Sequence, residues 1–239
     1  MQRYPTLTAA FEHARPVAPG LRSTPRLQRR RRQAVGERWA MLPQTFALFD
    51  PLFSTGIAWS LLGVERLAEI LAAKMISASA LTRYQSLLSA EADQQQALLE
   101  AAYLARRDFA VFRDLSFLYF AAVSFEEIRQ RLLGEGDDNA NAWTGFLGAG
   151  EPDRRTLFRE ARGAVIEALT DGSEKARHQF SSWVTEGIRG HNLIGLGESP
   201  THIYGFNLER LVDSSGLLGL TAAELEPLLP RLRGIGRVA

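Results

Sequence analysis

The sequence predicts an α+β chain that is mostly helical, and three observations carry the prediction. With 239 residues, 46% of them hydrophobic and 23% charged, the chain has an ordinary globular composition and enough apolar surface for a sizeable core. From about residue 75 onward, apolar side chains recur at three- and four-residue steps between capping and breaking residues, which is the helical period. The stretches short and apolar enough for strands lie near the N-terminal end, too few for a sheet that stands alone.

The elements follow in order. Pro5 suits the first turn of a short helix over 5–14, with Leu7, Ala10, Phe11 and Ala14 on one face, broken by Pro16, Pro19 and Gly20. Arg29-Arg30-Arg31-Arg32 lies between Leu27 and Val35 in an extended segment or a hairpin arm ending at Gly36. Residues 38–42 are apolar and stopped by Pro43, so they read as a buried strand. A loop over 43–56 follows, apolar but punctuated by Pro43 and Pro51 and ending in Ser54-Thr55-Gly56. A helix over 57–74 then carries Leu61, Val64, Leu67, Ala68 and Leu71.

Ser79 caps a long helix bearing Leu81, Tyr84, Leu88, Ala92, Leu99, Ala102 and Tyr103. An aromatic stretch over 109–123 leads to a separate short helix ending at Leu133, for which Ser124 and Glu127 have capping-box spacing. A loop rich in Gly, Asp and Asn fills 134–150, with Trp143 and Phe146 as anchors into the core. Pro152 opens a helix to about Leu169, and Asp171-Gly172-Ser173 stops it and caps the next, which runs to about Ile188. After a loop over 190–205, Thr221 and Glu224 repeat the capping-box spacing before a last short helix near Pro230.

Composition narrows the function. Lys and Arg total 28 against 27 Asp and Glu, and a net charge of +1 provides no overall field for nucleic acid or an acidic membrane. Four arginines in a row suit a solvated strand edge better than a nucleic-acid interface, which needs a wider basic face. There is no cysteine, which removes disulfides, thiolate zinc sites and cysteine nucleophiles, and fits a cytoplasmic setting. No apolar run reaches the roughly 20 residues that a membrane span needs. His13, His178, His191 and His202 lack metal-ligand spacing, and no Gly-x-Ser-x-Gly elbow occurs. Glu126-Glu127 and Asp137-Asp138 are neighbours in sequence only, explained by helix capping and by a solvated loop.

The unit that carries chemistry is the loop feeding the helix at Ser54-Thr55-Gly56. A helix start presents unpaired N–H groups and a partial positive charge, and so accepts an anion, a phosphate or the polar edge of a ring. Gly56 leaves room for a ligand to approach the backbone, and Asp50-Pro51 stiffens the way in. The plainer reading makes Ser54 or Thr55 a simple N-cap.

Residues 39–43, Trp-Ala-Met-Leu-Pro, followed by Phe49-Asp-Pro-Leu-Phe-Ser-Thr-Gly-Ile-Ala58, resemble the second flavin motif of the tryptophan halogenase-like FAD-dependent oxidoreductases. The likeness extends through Leu61, Gly63 and Leu67, and more faintly through Tyr103, Asp108-Phe109 and Tyr119-Phe120 to Glu126-Glu127. It implies an FAD-binding, Rossmann-type fold with few strands followed by a helical domain. It further implies that Pro51, Ser54, Thr55, Gly56 and Ile57 line the flavin, and that the Thr55–Gly56 backbone holds a halide where one is used. Asp50 and Gln44 join this cofactor-binding set. Gln44 stands where the wider group often has an aspartate, and offers a hydrogen bond without charge. Phe53 replaces the glutamate of halogenases that act on free tryptophan, which argues against that chemistry.

The family's opening Gly-x-Gly-x-x-Gly unit has no counterpart, since Gly134-Glu-Gly136 and Gly195-Leu-Gly197 lack the third glycine, and its catalytic lysine and Trp-x-Trp-x-x-Ile-Pro signature fall in the same absent region. The resemblance therefore implies a C-terminal part. Residues 1–74 would be the remnant of the FAD-binding domain and 75–239 the helical domain, completed by a partner chain or a missing N-terminal segment, with weak or absent FAD binding alone. A small organic substrate is expected. The alternative is a non-catalytic helical interaction module on the same scaffold, dimerising near Trp39 and the loop over 46–53.

Overall fold

The structure is a computed structural model that describes residues 4–15, 17, 20, 27–133, 143, 145–198 and 208–232. Helices dominate. They are α1 (Pro5–Ala10), α2 (Pro43–Phe46), α3 (Gly56–Ala72), α4 (Ala78–Ala105), α5 (Phe109–Leu133), α6 (Pro152–Asp171), α7 (Glu174–Ile188), α8 (Leu208–Asp213) and α9 (Ala222–Leu225), joined by short 3₁₀ turns. Among the described residues four two-residue strands make two antiparallel ribbons: β1 (Arg29–Arg30) with β4 (Ala47–Leu48), and β2 (Val35–Gly36) with β3 (Trp39–Ala40).

Helices α4 to α7 form the body: α4 packs on α5 and α6, and α7 on α5 and α6. Buried alanines at 92, 101, 102, 105, 121, 122, 161 and 168 let these helices approach closely. A continuous core joins Ala34, Phe46, Ala47, Trp59 and Ile70 from the first 74 residues to Tyr84, Leu88, Leu115, Phe158 and Val184 of the helices. A second cluster gathers Phe125, Ile128, Leu132, Leu193, Leu211 and Leu225 at the far end of α5.

Helix α4 is the rail on which the N-terminal strands lie. The Gln85 side-chain oxygen accepts from the Ala34 and Val35 amides at 3.1 and 3.2 Å, Tyr84 donates to the Met41 carbonyl at 2.8 Å, and Arg30 pairs with Asp93. These bonds satisfy backbone groups that such short ribbons leave open.

Several expectations are met and others revised. Gly172, at φ 64°, ends α6, and Ser173 caps α7 by accepting from the Ala176 amide at 3.1 Å. Thr221 and Glu224 form the capping box of α9. Ser124, in contrast, caps nothing: α5 is one helix through to Leu133, because Ala121, Ala122, Phe125 and Ile128 carry the buried period across it. Residues 38–42 hold an exposed two-residue strand rather than a buried one. In α3 the inward face is Trp59, Gly63, Arg66 and Ile70, while Ile57, Leu61, Val64 and Leu71 point outward. Residues 134–142, with Asp137 and Asp138, and also His202, lie outside the described residues.

Candidate functional site at the start of the third helix

The loop that delivers α3 is built from local bonds. Pro51 opens a 3₁₀ turn (Pro51–Phe53), and the Asp50 carboxylate caps it by accepting from the Leu52 amide at 3.1 Å. Ser54 sits at φ 54°, a left-handed conformation that turns the chain into α3, and its amide donates to the Pro51 carbonyl at 2.9 Å. Helix α5 holds the turn from the side. Tyr119 donates to the Phe53 carbonyl at 3.1 Å, and the two rings lie 4.8 Å apart at 31°. Burial raises the Tyr119 phenol above its ordinary pKa, so it stays a donor. Tyr103 of α4 is raised in the same direction, mainly by its hydrogen bond to Asp50.

Neither hydroxyl in Ser54-Thr55 caps α3. Thr55 occupies the N-cap position, but its Oγ1 donates instead to Gln95 Oε1 on α4 at 3.0 Å. The first α3 turn closes with the Trp59 amide on the Thr55 carbonyl at 3.0 Å, so the amides of Gly56, Ile57 and Ala58 precede the helical ladder. Ile57 is 76% exposed, and this end of the helix faces solvent.

Gln44 and Gly56 are neighbours. A Cβ on Gly56 would collide with the Gln44 amide nitrogen, and one on Gly63 would collide with the Pro43 ring. Helix α2 therefore lies against two glycines one heptad apart on α3. Close packing within the chain explains both.

Beneath the loop is a buried polar cluster that sequence reading did not find. Glu91, fully buried on α4, accepts from Trp59 Nε1 and Arg66 Nη1 at 2.7 Å each and from the Phe146 amide at 2.6 Å. One turn on, Gln94 donates to the Leu147 carbonyl at 2.8 Å. These bonds pin residues 145–149, where Gly145, Leu147 and Gly148 all have positive φ. Gln95 is 2% exposed, and its Nε2 has no hydrogen-bond partner. The available signal was a run of Glu91, Gln94 and Gln95 interrupting an otherwise apolar face of α4.

The fainter positions of the resemblance have structural partners. Asp108 caps α5 through the Ala110 and Val111 amides and pairs with Arg177 at 2.7 Å, which holds its carboxyl below the ordinary value. Glu126 pairs with Arg154, Glu127 with Arg131, and Phe109 is exposed. His13 and His178 are exposed, whereas His191 is buried, and burial pulls its pKa down to about 4. Among the described residues no cluster of His, Asp and Glu is arranged to hold a metal ion. No helix among them is long and apolar enough to cross a membrane.

The arrangement defines a class of site: a helix start whose available groups are backbone amide donors, reached by an apolar turn. No protein-family profile matches the chain. It is 25% identical over 222 residues to monodechloroaminopyrrolnitrin halogenase PrnC of Pseudomonas fluorescens, a match covering 86% of this chain. The chain spans 38% of that protein's length. This distant similarity supports a halogenase-like relationship at most.

Proposed function

We propose that the chain is the C-terminal part of a flavin-dependent, halogenase-like oxidoreductase. In this reading residues 1–74 are the remnant of a Rossmann-type FAD-binding domain, and 75–239 are the helical domain on the side of a small organic substrate. The observation that carries it is the solvent-facing start of α3, where Ser54, Thr55, Gly56 and Ile57 follow a capped 3₁₀ turn. The distant halogenase similarity supports the same reading.

The residues present fit the ring half of FAD. Exposed Pro51 and Ile57 offer apolar surface for a ring face, and the α3 amides with Gln44 offer neutral donors to its polar edge. Asp50 stiffens the turn through the Leu52 amide and Tyr103. No Gly-x-Gly-x-x-Gly occurs to seat the ADP half.

FAD, when bound, supplies the redox chemistry. The work of this chain's residues is electrostatic: the Thr55–Gly56 backbone, at the positive end of a 17-residue helix, stabilises a halide or another small anion beside the ring. The outward residues Ile57, Leu61, Val64 and Leu71 give a partner chain or N-terminal segment an apolar face to cover. The second reading, a non-catalytic module pairing near Trp39 and the loop over 46–53, finds Trp39 exposed but Phe46 and Ala47 buried in the chain's own core, so only this α3 face leaves it an extended apolar surface.

Flavin fluorescence quenching by the purified chain tests the proposal. Riboflavin and FAD are expected to bind weakly and about equally, because the ADP half finds no seat, and Thr55→Asp should abolish both. Quenching that is unchanged in Thr55→Asp overturns it.

A further inference from the structure

We infer that Gln95, which lies outside the loop motif, is the positioning and selectivity residue of a seat for monovalent anions at the start of α3. The inference rests on the reading above, in that it assigns that helix start to an anion.

Two independent observations converge. The first is the helix itself: α3 has 17 residues, and Thr55 at its N-cap gives no side-chain bond to the helix amides. The second is Gln95, 2% exposed, whose Oε1 accepts the Thr55 hydroxyl at 3.0 Å while Nε2 is buried without a partner. An orphaned buried amide donor carries a desolvation cost that a native fold removes by pairing it. Its oxygen is tied to Thr55, which keeps the amide group close to the N-cap.

The Gln44 amide nitrogen lies against Gly56, in the space that a side chain there would fill. The seat thus combines backbone N–H groups with two neutral side-chain amides. Such a set orients a single negative charge, but it cannot repay the larger desolvation of a divalent ion. Gln95 also fixes the Thr55 rotamer, so it acts on the geometry of the seat as well as on its donor count.

The test is ³⁵Cl NMR line broadening of sodium chloride by the purified full chain, with bromide and sulfate as competitors at constant ionic strength. Wild type is expected to broaden the line, with bromide competing, sulfate ineffective and little dependence on pH. Gln95→Met should weaken binding about tenfold, the loss of one neutral donor. Gln95→Glu keeps an oxygen to accept the Thr55 hydroxyl but donates only when protonated. Its chloride affinity should therefore fall as pH rises through titration of the new carboxyl, a profile that requires residue 95 to stand beside the bound anion. Wild-type binding with an unchanged affinity in Gln95→Met, or a flat pH profile in Gln95→Glu, overturns the role of Gln95 and leaves the anion seat standing. No broadening by wild type overturns the seat and the inference together, and sulfate competing as well as bromide overturns the selectivity.

Discussion

Replacing Glu91 should be among the most damaging single changes in this chain, and the structure says why. Its carboxylate is fully buried and takes three donors, from Arg66, Trp59 and the Phe146 amide, at 2.6 to 2.7 Å. Arg66 is only 4% exposed, so Glu91→Ala leaves a buried cation unpaired, which costs about 3–5 kcal/mol. The stranded Trp59 and Phe146 N–H groups add about 1–3 kcal/mol each before any water enters. The loss is then about 5 kcal/mol or more, comparable with the whole stability of a typical domain. Arg66→Met combined with Glu91→Leu removes both charges and should be the milder change, by about 2 kcal/mol or more, because apolar groups of similar volume replace a buried pair at little cost. Urea unfolding followed by circular dichroism, compared at matched slopes, measures the order. The reasoning is refuted if Glu91→Ala stays within about 1 kcal/mol of wild type, or if the double variant is the less stable of the two.

Two glycines on α3 should respond differently to alanine. Gly63→Ala drives a methyl into the Pro43 ring and should cost about 1–3 kcal/mol, whereas Gly56→Ala meets only the far end of Gln44 and should shift stability by less than about 1 kcal/mol, both read from thermal midpoints. His191 should impose a pH dependence. Burial and the nearby Arg154 lower its pKa from 6.5 to about 4, so between those values the unfolded chain binds a proton that the native chain refuses. Stability should fall by about 3 kcal/mol as pH drops through that window, and denaturation curves of His191→Phe should show that slope removed.

The parts of the fold that were legible in sequence are those with local causes. The stop at Gly172, the cap at Ser173 and the box at Thr221 and Glu224 involve residues within one turn of each other, and the structure places them as read. The α3 start at Gly56 was legible for the same reason. The orientation of α3 was not. Its sequence offers an apolar stripe through Leu61, Val64 and Leu71, whereas the buried face runs through Trp59, Gly63, Arg66 and Ile70. The choice between them depends on Pro43 fitting Gly63 and on Glu91 meeting Arg66 from a different helix. Ser124 misled because a capping box is defined by spacing, while the unbroken burial of α5 is a tertiary fact.

The same division applies to the site. Asp50, Pro51, Ser54, Thr55, Gly56 and Ile57 fall within eight residues and show themselves as a motif, and Gln44 lies just upstream on the short helix α2. Gln95 is 40 residues from Thr55 and meets it only because α4 runs beneath the start of α3. A polar residue on an apolar helix face is the trace such a partner leaves, and the run from Glu91 to Gln95 has that form.

In the proposed function the α3 amides are the surface that meets a flavin ring and its accompanying anion. Amide ¹H–¹⁵N spectra of the labelled chain, titrated with lumiflavin in the presence and absence of chloride, test this directly. The expected result is that the largest shifts fall on Thr55, Gly56, Ile57 and Ala58, with the Gln95 side-chain amide moving when chloride is added. Shifts confined to other helices, with these signals unmoved at saturating lumiflavin, would contradict it.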